Sequence, residues 1–373
     1  MDAFARDLGW ARLQMPLTRA GCEALPRLDG IRLACSMHLD LKMVLAVEAL
    51  LEKGAEVFLT TCNPTTVRDE VVEWLRERGA QAHAWKNMSP ESYAEAIERA
   101  LAWGPTHLCE MGAEFSRALH SRANGSRVRG SLEATGSGIA RLGALSPRYP
   151  VFNWDDLPIK EGLHNRWLVG LSTWQAFCER TRLTLHGKRV LVVGHGGVGQ
   201  GVADVARAFG GTVEVAERDA ARLLEARYAG WEAGPLTPER LARAEVIVTA
   251  TGVTGVIGAE EVKHLRAGCF LLNVGHVADE IDVAALGLRR ELIPHVEEAR
   301  PHGRPLYLFA GGSMANLTAG WGDSLNAFDI TLATMVAGLG FLFTEGERET
   351  PGLHPLPRSV WGPVAAAAAA RRG

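Results

Sequence analysis

The sequence predicts an α/β protein of two domains, each a parallel sheet flanked by helices. Three observations carry this prediction. The chain has 373 residues, room for two or three domains at roughly 150 residues each. The first 165 residues, and again the stretch from 185 onward, alternate short apolar runs with amphipathic segments, the pattern of a parallel sheet covered by helices. A glycine-rich turn at 194–199 lies between an apolar run and a helical one, the arrangement of a βαβ unit.

The elements follow in order. IRLACSMH (31–38) is an apolar strand ending in polar residues, and LKMVLAVEALLEKG (41–54) has helical spacing with Gly54 as its stop. AEVFLTTC (55–62) is a second strand, followed by the turn NPTT and the amphipathic helix VRDEVVEWLRERG (67–79), which closes at Gly79. SPESYAEAIERALAW (89–103) opens with Ser-Pro and a first-turn Glu, a helix start. THLCEMG (106–112) is the next strand. The second alternating unit runs from LHGKRVLVVGHGGVGQGVADVARAFGGTVEVAERD (185–219) through AEVIVTATG (244–252), AGCFLLNVGH (267–276) and RPLYLFAGG (304–312). DSLNAFDITLATMVAGLGFL (323–342) has helical length, and the alanine-rich end is expected to fray.

Composition excludes several classes. Charged residues at 22% and apolar residues at 47% rule out a wholly disordered or fibrous chain. A net charge of −3 disfavours nucleic acid as a partner. No apolar run reaches the roughly 18 to 20 residues that span a bilayer, and MDAFARDLGWARLQMP has charges where a signal peptide has its apolar core. No membrane partner and a cytoplasmic location are therefore expected. Cys22, Cys35, Cys62, Cys109, Cys178 and Cys269 form no C-x-x-C, so buried thiols are expected rather than disulfides or a metal site.

The strongest local signal is VLVVGHGGVGQG. Gly194 permits the tight turn, Gly196 lets backbone N–H groups approach a pyrophosphate, and Gly199 allows close helix–strand packing. Gly197 and Val198 open the helix whose positive dipole end faces the phosphates. Glu217 ends the next strand, where a carboxylate accepts hydrogen bonds from a ribose diol and repels a 2′-phosphate. The second domain thus reads as a Rossmann domain for NAD, with Arg218 and Arg222 keeping NADP open.

Taken in order, CSMHLDLKMVLAVEALLEKGAEVFLTTCNPTTVRDEV, AHAWKNMSPESYAEAIERAL, GSLEATGSGIARL, DDLPIKEGLHNRW, LSTWQAF, GHGGVGQG, VTATGVTGVI, LLNVGHVADEID and LYLFAGGSMANLTAG resemble the S-adenosylhomocysteine hydrolase (adenosylhomocysteinase) family over nearly the whole chain. The resemblance implies a substrate domain of residues 1–165 and 325–373 and an NAD domain of 166–324. It implies a recycled NAD that oxidises the 3′-hydroxyl of a nucleoside, so that C4′ loses a proton, the 5′-substituent leaves, water adds at C5′ and the ketone is reduced again. By resemblance Lys160 serves the 3′-hydroxyl and His38 and His276 stand around C5′. Thr135, Ser137, Asn165, Thr251, Gly275 and Asn316 match cofactor positions, Asn316 toward the nicotinamide amide. The family also implies a homodimer or homotetramer. It has a C-terminal extension reaching a neighbour's NAD, where this sequence ends in TPGLHPLPRSVWGPVAAAAAARRG, so looser cofactor retention is expected.

Departures from the family cluster on the substrate side. Thr-x-Glu (or Gln) after the first His is here Asp40 and Lys42, and the Gly-His-Pro motif is Gly322-Asp323-Ser324. The family reads the adenine amino edge there, whereas Lys is donor-only. Lys42 and Asp323 either pair with each other or read a different base. The Asp of the lysine motif is His164, which joins the catalytic candidates. The paired aspartates of Asp-Asp-Gly-Gly are Glu110-Met111, and the paired Glu is Glu133-Ala134, with the register of Glu133 open. The substrate is then S-adenosylhomocysteine or a related nucleoside. A non-catalytic NAD-binding regulator is the alternative that the joint presence of Lys160, His38 and His276 disfavours.

Overall fold

A computed structural model describes residues 3–122, 127–277 and 279–371. The strands are β1 (Arg32–Ser36), β2 (Glu56–Thr60), β3 (Gln81–Ala82), β4 (His107–Glu110), β5 (Gly130–Glu133), β6 (Pro150–Asn153), β7 (Arg189–Val193), β8 (Thr212–Ala216), β9 (Glu232–Gly234), β10 (Val246–Thr249), β11 (Phe270–Asn273), β12 (Arg289–Ile293), β13 (Val296–Ala299), β14 (Leu306–Phe309) and β15 (Gly352–Pro355). The chain divides into two compact units, Met1–Lys160 with Leu325–Gly373, and Glu161–Ser324.

The first unit holds one parallel sheet in the order β15-β6-β5-β4-β1-β2-β3. Its inner strands β1, β4, β5 and β6 are buried on both faces, as helices on both sides of a parallel sheet require, while the edge strands β3 and β15 are partly exposed. Strand order reverses between β1 and β4, and a doubly wound sheet opens its ligand crevice at such a switch point, beyond the strand carboxyl ends. His38 follows β1 and Met111 follows β4 at that place. The glycine stops are real: Gly54 and Gly79 have φ of +100° and +99°, a conformation that only glycine adopts cheaply.

The second unit holds the order β12-β13-β14-β11-β10-β7-β8-β9. It is parallel from β14 to β9, and its switch point lies between β7 and β10. The expected parallel sheet is present, and one edge adds to it: β12 and β13 run antiparallel onto β14. The reason is connection length. Only Pro294 and His295 separate β12 from β13, far too few for a parallel crossover.

The returning chain completes the first unit. Helix Leu325–Thr344 is long and apolar enough to cross a membrane by length and composition, which corrects the reading that no run is. Ile330, Leu332, Met335, Val336, Leu339 and Leu342 are instead buried in the core of this unit beside Leu33, Val57 and Phe152. Asp329 on the same helix accepts the amides of Leu17 at 2.9 Å and Thr18 at 2.7 Å, at the N-terminus of helix Pro16–Ala24. Downstream, Glu347 accepts from His107 Nε2 at 2.9 Å. The alanine-rich end does not fray as expected. Residues Arg358–Arg371 are helical because Val360, Trp361, Val364, Ala365 and Ala368 form a stripe packed on the same core. All six cysteines are free thiols, four of them buried.

Asp329→Ala removes the only side chain shown to accept the Leu17 and Thr18 amides. We expect a loss of about 2 kcal/mol in urea unfolding with an unchanged m-value. A change below about 0.5 kcal/mol contradicts this anchoring role.

Candidate functional site

In the first unit the functional side chains stand where parallel strands end. After β1, His38 Nδ1 lies 2.8 Å from Thr66 Oγ1, and that hydroxyl donates to the Asn63 carbonyl, also at 2.8 Å. A hydroxyl has one proton. The network therefore assigns the imidazole proton to Nδ1 and leaves Nε2 as the basic nitrogen. Thr61 Oγ1 donates to the same Asn63 carbonyl and Asn63 Oδ1 accepts from Thr65, so the CNPTT turn is a platform that orients His38.

Asp40 and Lys42 form an ion pair, Nζ to Oδ2 at 2.7 Å, with Lys42 only 4% exposed. Asp40 also caps the turn Leu41–Met43 by accepting the Lys42 and Met43 amides. The Lys42 ammonium stands 5.6 Å from the Phe328 ring centroid, within cation–π range. Lys42 thus has an anionic partner and an aromatic neighbour inside its own unit.

Glu110 and Glu133 end β4 and β5 and are fully buried. Glu133 accepts from the amides of Gly112 (2.9 Å), Ala113 (2.9 Å) and Thr135 (2.8 Å), and from Thr135 Oγ1 (2.7 Å). Glu110 accepts from the Ser116 amide and from the Ser116 and Ser131 hydroxyls. Both carboxylates lock the loops after their strands. Burial, and secondarily the charge of Glu110, push Glu133 up to about 8 against the pull of its donors. Burial likewise raises Glu110. Thr135 caps helix Gly136–Leu145, accepting the Gly138 amide, and its hydroxyl lies 3.3 Å from that of Ser137. Lys160, last in this unit, stands 3.4 Å from Asp155 Oδ1 with both side chains almost wholly buried.

In the second unit the glycine turn has the form its spacing implies. Gly194 has φ of +99°, and a Cβ there would stand 2.6 Å from the Ala250 carbonyl. A Cβ on Gly199 would collide with the Gly194 carbonyl, and one on Gly201 with that of Arg166. Gly197 opens helix Gly197–Ala208, with Val198 in its first turn, and a Cβ on Gly197 would collide with the Glu161 carboxylate. Glu161 in turn accepts from Asn165 Nδ2 at 2.6 Å. At the end of β8 the buried Glu217 accepts the amides of His195, Arg218 and Asp219 at 2.7 to 2.9 Å. Its carboxylate is thereby fixed where a ribose diol is expected, and Arg222 Nη1 lies 3.3 Å from the point a Gly196 Cβ would occupy.

Sequence reading missed Glu280. It is buried and accepts from the Thr251 amide and hydroxyl and the Gly252 amide, setting the loop after β10. Burial raises its pKa. A Cβ on Gly275 would collide with it, which explains a glycine directly before His276. Its place in the NVGHVADEID stretch was the available signal. His195 was missed as well: it is 2% exposed and neither ring nitrogen has a hydrogen-bond partner.

Two further departures meet in this unit. His164 Nδ1 lies 3.1 Å from Asp323 Oδ2. The family resemblance has Asp at the first position and His at the second, so the exchange is reciprocal. Asp323 Oδ1 accepts from Ser172 Oγ at 2.9 Å, and Asn316 Nδ2 donates to Ser172 Oγ at 3.4 Å. Asn316 Oδ1 is buried with no partner. An orphaned acceptor of this kind fits a carboxamide N–H donor such as nicotinamide supplies. With the glycine cradle and the fixed Glu217, the residues of this unit fit NAD.

Comparisons with known proteins agree with this geometry. The family model described as "S-adenosyl-L-homocysteine hydrolase" matches residues 11–142, and the one described as "S-adenosyl-L-homocysteine hydrolase, NAD binding domain" matches residues 171–322. S-inosyl-L-homocysteine hydrolase of Methanopyrus kandleri is 33% identical over 94% of this chain and 86% of its own length. Adenosylhomocysteinase of Aeropyrum pernix is 34% identical over 92% and 85%. S-inosyl-L-homocysteine hydrolase of Methanocaldococcus jannaschii is 29% identical over 94% and 88%.

Two outcomes are expected of this geometry. Asn316→Ala weakens NAD at least about tenfold in calorimetric titration, a loss of about 1.4 kcal/mol, with the melting temperature unchanged without cofactor; unaltered affinity rejects the assignment. Glu133 has a folded pKa above its unfolded value, so its contribution to stability is full below pH 4.5 and is lost as pH rises toward about 8. The melting temperature should therefore fall more steeply between those limits in the native protein than in Glu133→Gln, and parallel slopes refute the shift.

Proposed function

The chain belongs to the S-adenosyl-L-homocysteine hydrolase family, and from that premise we propose that its substrate is an S-nucleosyl-L-homocysteine whose base is a 6-oxopurine. The observation that carries the base assignment is Lys42, buried and ion-paired with Asp40 where the family reads an amino group. An ammonium has three donors and no acceptor, so it meets a ring carbonyl and not an exocyclic amine. Relatives of comparable identity act on either base by name, S-inosyl-L-homocysteine hydrolases and adenosylhomocysteinases alike, so a 6-oxopurine substrate is within the family's range and Lys42 decides the reading.

The reaction is hydrolysis by transient oxidation. NAD, when bound, supplies the reversible oxidant for the 3′-hydroxyl. The chain supplies the rest. Lys160, held beside Asp155 in a nearly dry setting, is assigned to the proton of the 3′-hydroxyl. His38 presents Nε2 for proton exchange because Thr66 holds its Nδ1 proton; with His276 it is assigned to the leaving sulfur and the incoming water. Asp40 holds the Lys42 side chain in place at 2.7 Å, so base recognition rests on a preformed pair. On the family resemblance we place the enzyme in the cytoplasm as a homodimer or homotetramer, and a monomer in light scattering contradicts that assembly.

The test is absorbance of reduced cofactor on mixing NAD-loaded protein with nucleosides. Inosine should be oxidised with kcat/KM at least about tenfold above adenosine, as a mismatched polar contact requires. Lys42→Glu should reverse the preference. Equal efficiency for the two nucleosides sinks the base assignment, and no response to either sinks the reading as a whole.

A further inference from the structure

The network His164–Asp323–Ser172–Asn316 lies wholly within the second unit. Family resemblance puts residue 164 beside the ribose, in the motif that begins at Lys160. A carboxylate there could only accept hydrogen bonds. This chain instead has an imidazole whose Nδ1 stands 3.1 Å from a carboxylate oxygen. That carboxylate is 7% exposed and its other oxygen is held by a serine hydroxyl at 2.9 Å. A carboxylate fixed in this way orients an imidazole, keeps the proton on Nδ1 and stabilises the imidazolium that forms when Nε2 takes a second proton. The same chain has lost an acid elsewhere: Met111 stands where the family has the second aspartate of Asp-Asp-Gly-Gly. A thioether takes no proton at neutral pH. Glu110 and Glu133 do not replace it, because each is wholly buried and tied to its own loop.

We propose that His164 is the base that removes the C4′ proton of the 3′-keto substrate, with Asp323 as its positioning residue. The proposal rests on the 3′-oxidation chemistry given above. In the step, the C4′–H bond breaks and its proton passes to His164 Nε2. The electron pair left on C4′, delocalised into the 3′-ketone, forms the C4′=C5′ double bond. The C5′–S bond breaks and sulfur leaves with its pair as a thiolate, which takes a proton from a histidine or water. When water adds at C5′ its proton restores the group that protonated the thiolate, and the His164 imidazolium returns its proton to C4′, so both groups end unchanged. Ser172 and Asn316 extend the network, so the base is oriented by the same side chains that present the orphaned Asn316 acceptor.

The test separates oxidation from proton removal. NAD-loaded native protein, His164→Asn and Asp323→Asn are mixed in D2O with inosine or adenosine, whichever the native protein oxidises. Growth of the reduced-cofactor band and deuterium entry at C4′ are followed together, and homocysteine release from S-inosyl- or S-adenosyl-L-homocysteine is measured with a thiol reagent. The expected result is a growth rate within about threefold of native, with C4′ exchange and thiol release down about 100-fold or more in His164→Asn, the contribution typical of a positioned base. Asp323→Asn should give an intermediate loss of exchange with KM little changed. It should also move the His164 ring proton off Nδ1 in ¹⁵N spectra of protein without cofactor. Exchange at native rate in His164→Asn overturns the proposal, and so does a parallel fall of growth and exchange, which means that the ring only holds the ribose. Absence of any oxidation by the native protein is a different failure, that of the functional reading itself.

Discussion

A charge withdrawn from water must be neutralised or hydrogen-bonded where it sits, at a penalty otherwise on the order of several kcal/mol per ion. That requirement shapes both units. Lys42 is answered by Asp40, Asp329 by two amides and Glu217 by three, while Glu133 and Glu280 are hydrogen-bonded by four donors and by the Thr251–Gly252 turn yet still have burial raise their pKa toward the uncharged form. Glu133 ends β5 and Glu217 directly follows β8, while Lys42 and Glu280 lie in the loops after β1 and β11. The donors that neutralise a carboxylate are the amides of the loop it must fix, so one interaction both compensates a charge and places a site residue.

The same constraint explains why departures from the family come in pairs. A lone lysine in place of a carboxylate or amide, buried as Lys42 is, would be an uncompensated cation, and Asp40 two residues earlier removes the problem. A lone Asp at 323 would be an uncompensated anion, and His164 answers it. Each pair closes within one unit. Scattered loss of function imposes no such pairing. Coupled exchange is what a site rebuilt for a different ligand demands, because only compensated combinations fold.

Much of the architecture was legible in the sequence, for reasons tied to particular residues. Gly54 and Gly79 end helices because left-handed backbone tolerates little else. Gly194, Gly199 and Glu217 announced the cofactor crevice because their spacing follows from the turn, the packing and the strand length. Three things were not legible. The antiparallel β12–β13 edge hangs on a two-residue connection inside a run that lacks clean alternation. The apolar helix at 325–344 carries Asp329 as a buried cap, a role set by the distant amides of Leu17 and Thr18. Glu280 looked like one acid among several because its partners, Thr251 and Gly252, come from another strand end. Partners distant in sequence defeat local reading, and ion pairing defeats it most. The charges of Lys42 and Asp323 left open a pair with each other or a different base, and neither Asp40 as a partner of Lys42 nor His164 as a partner of Asp323 could be read from spacing alone.

Replacing a ribose-side carboxylate by an oriented imidazole also changes the electrostatics of catalysis. A carboxylate base is charged at rest, and closing a dry site around it carries a desolvation cost before any proton moves. In the exchanged pair the resting carboxylate is Asp323, set back from the reacting proton, and the imidazole becomes charged only after it takes that proton, when Asp323 already lies 3.1 Å from the ring nitrogen that shares the charge. The stabilising group is built in advance and held by Ser172, so no reorganisation is needed as charge develops. The arrangement therefore favours the protonated intermediate over the resting state, which is the direction in which differential binding lowers a barrier.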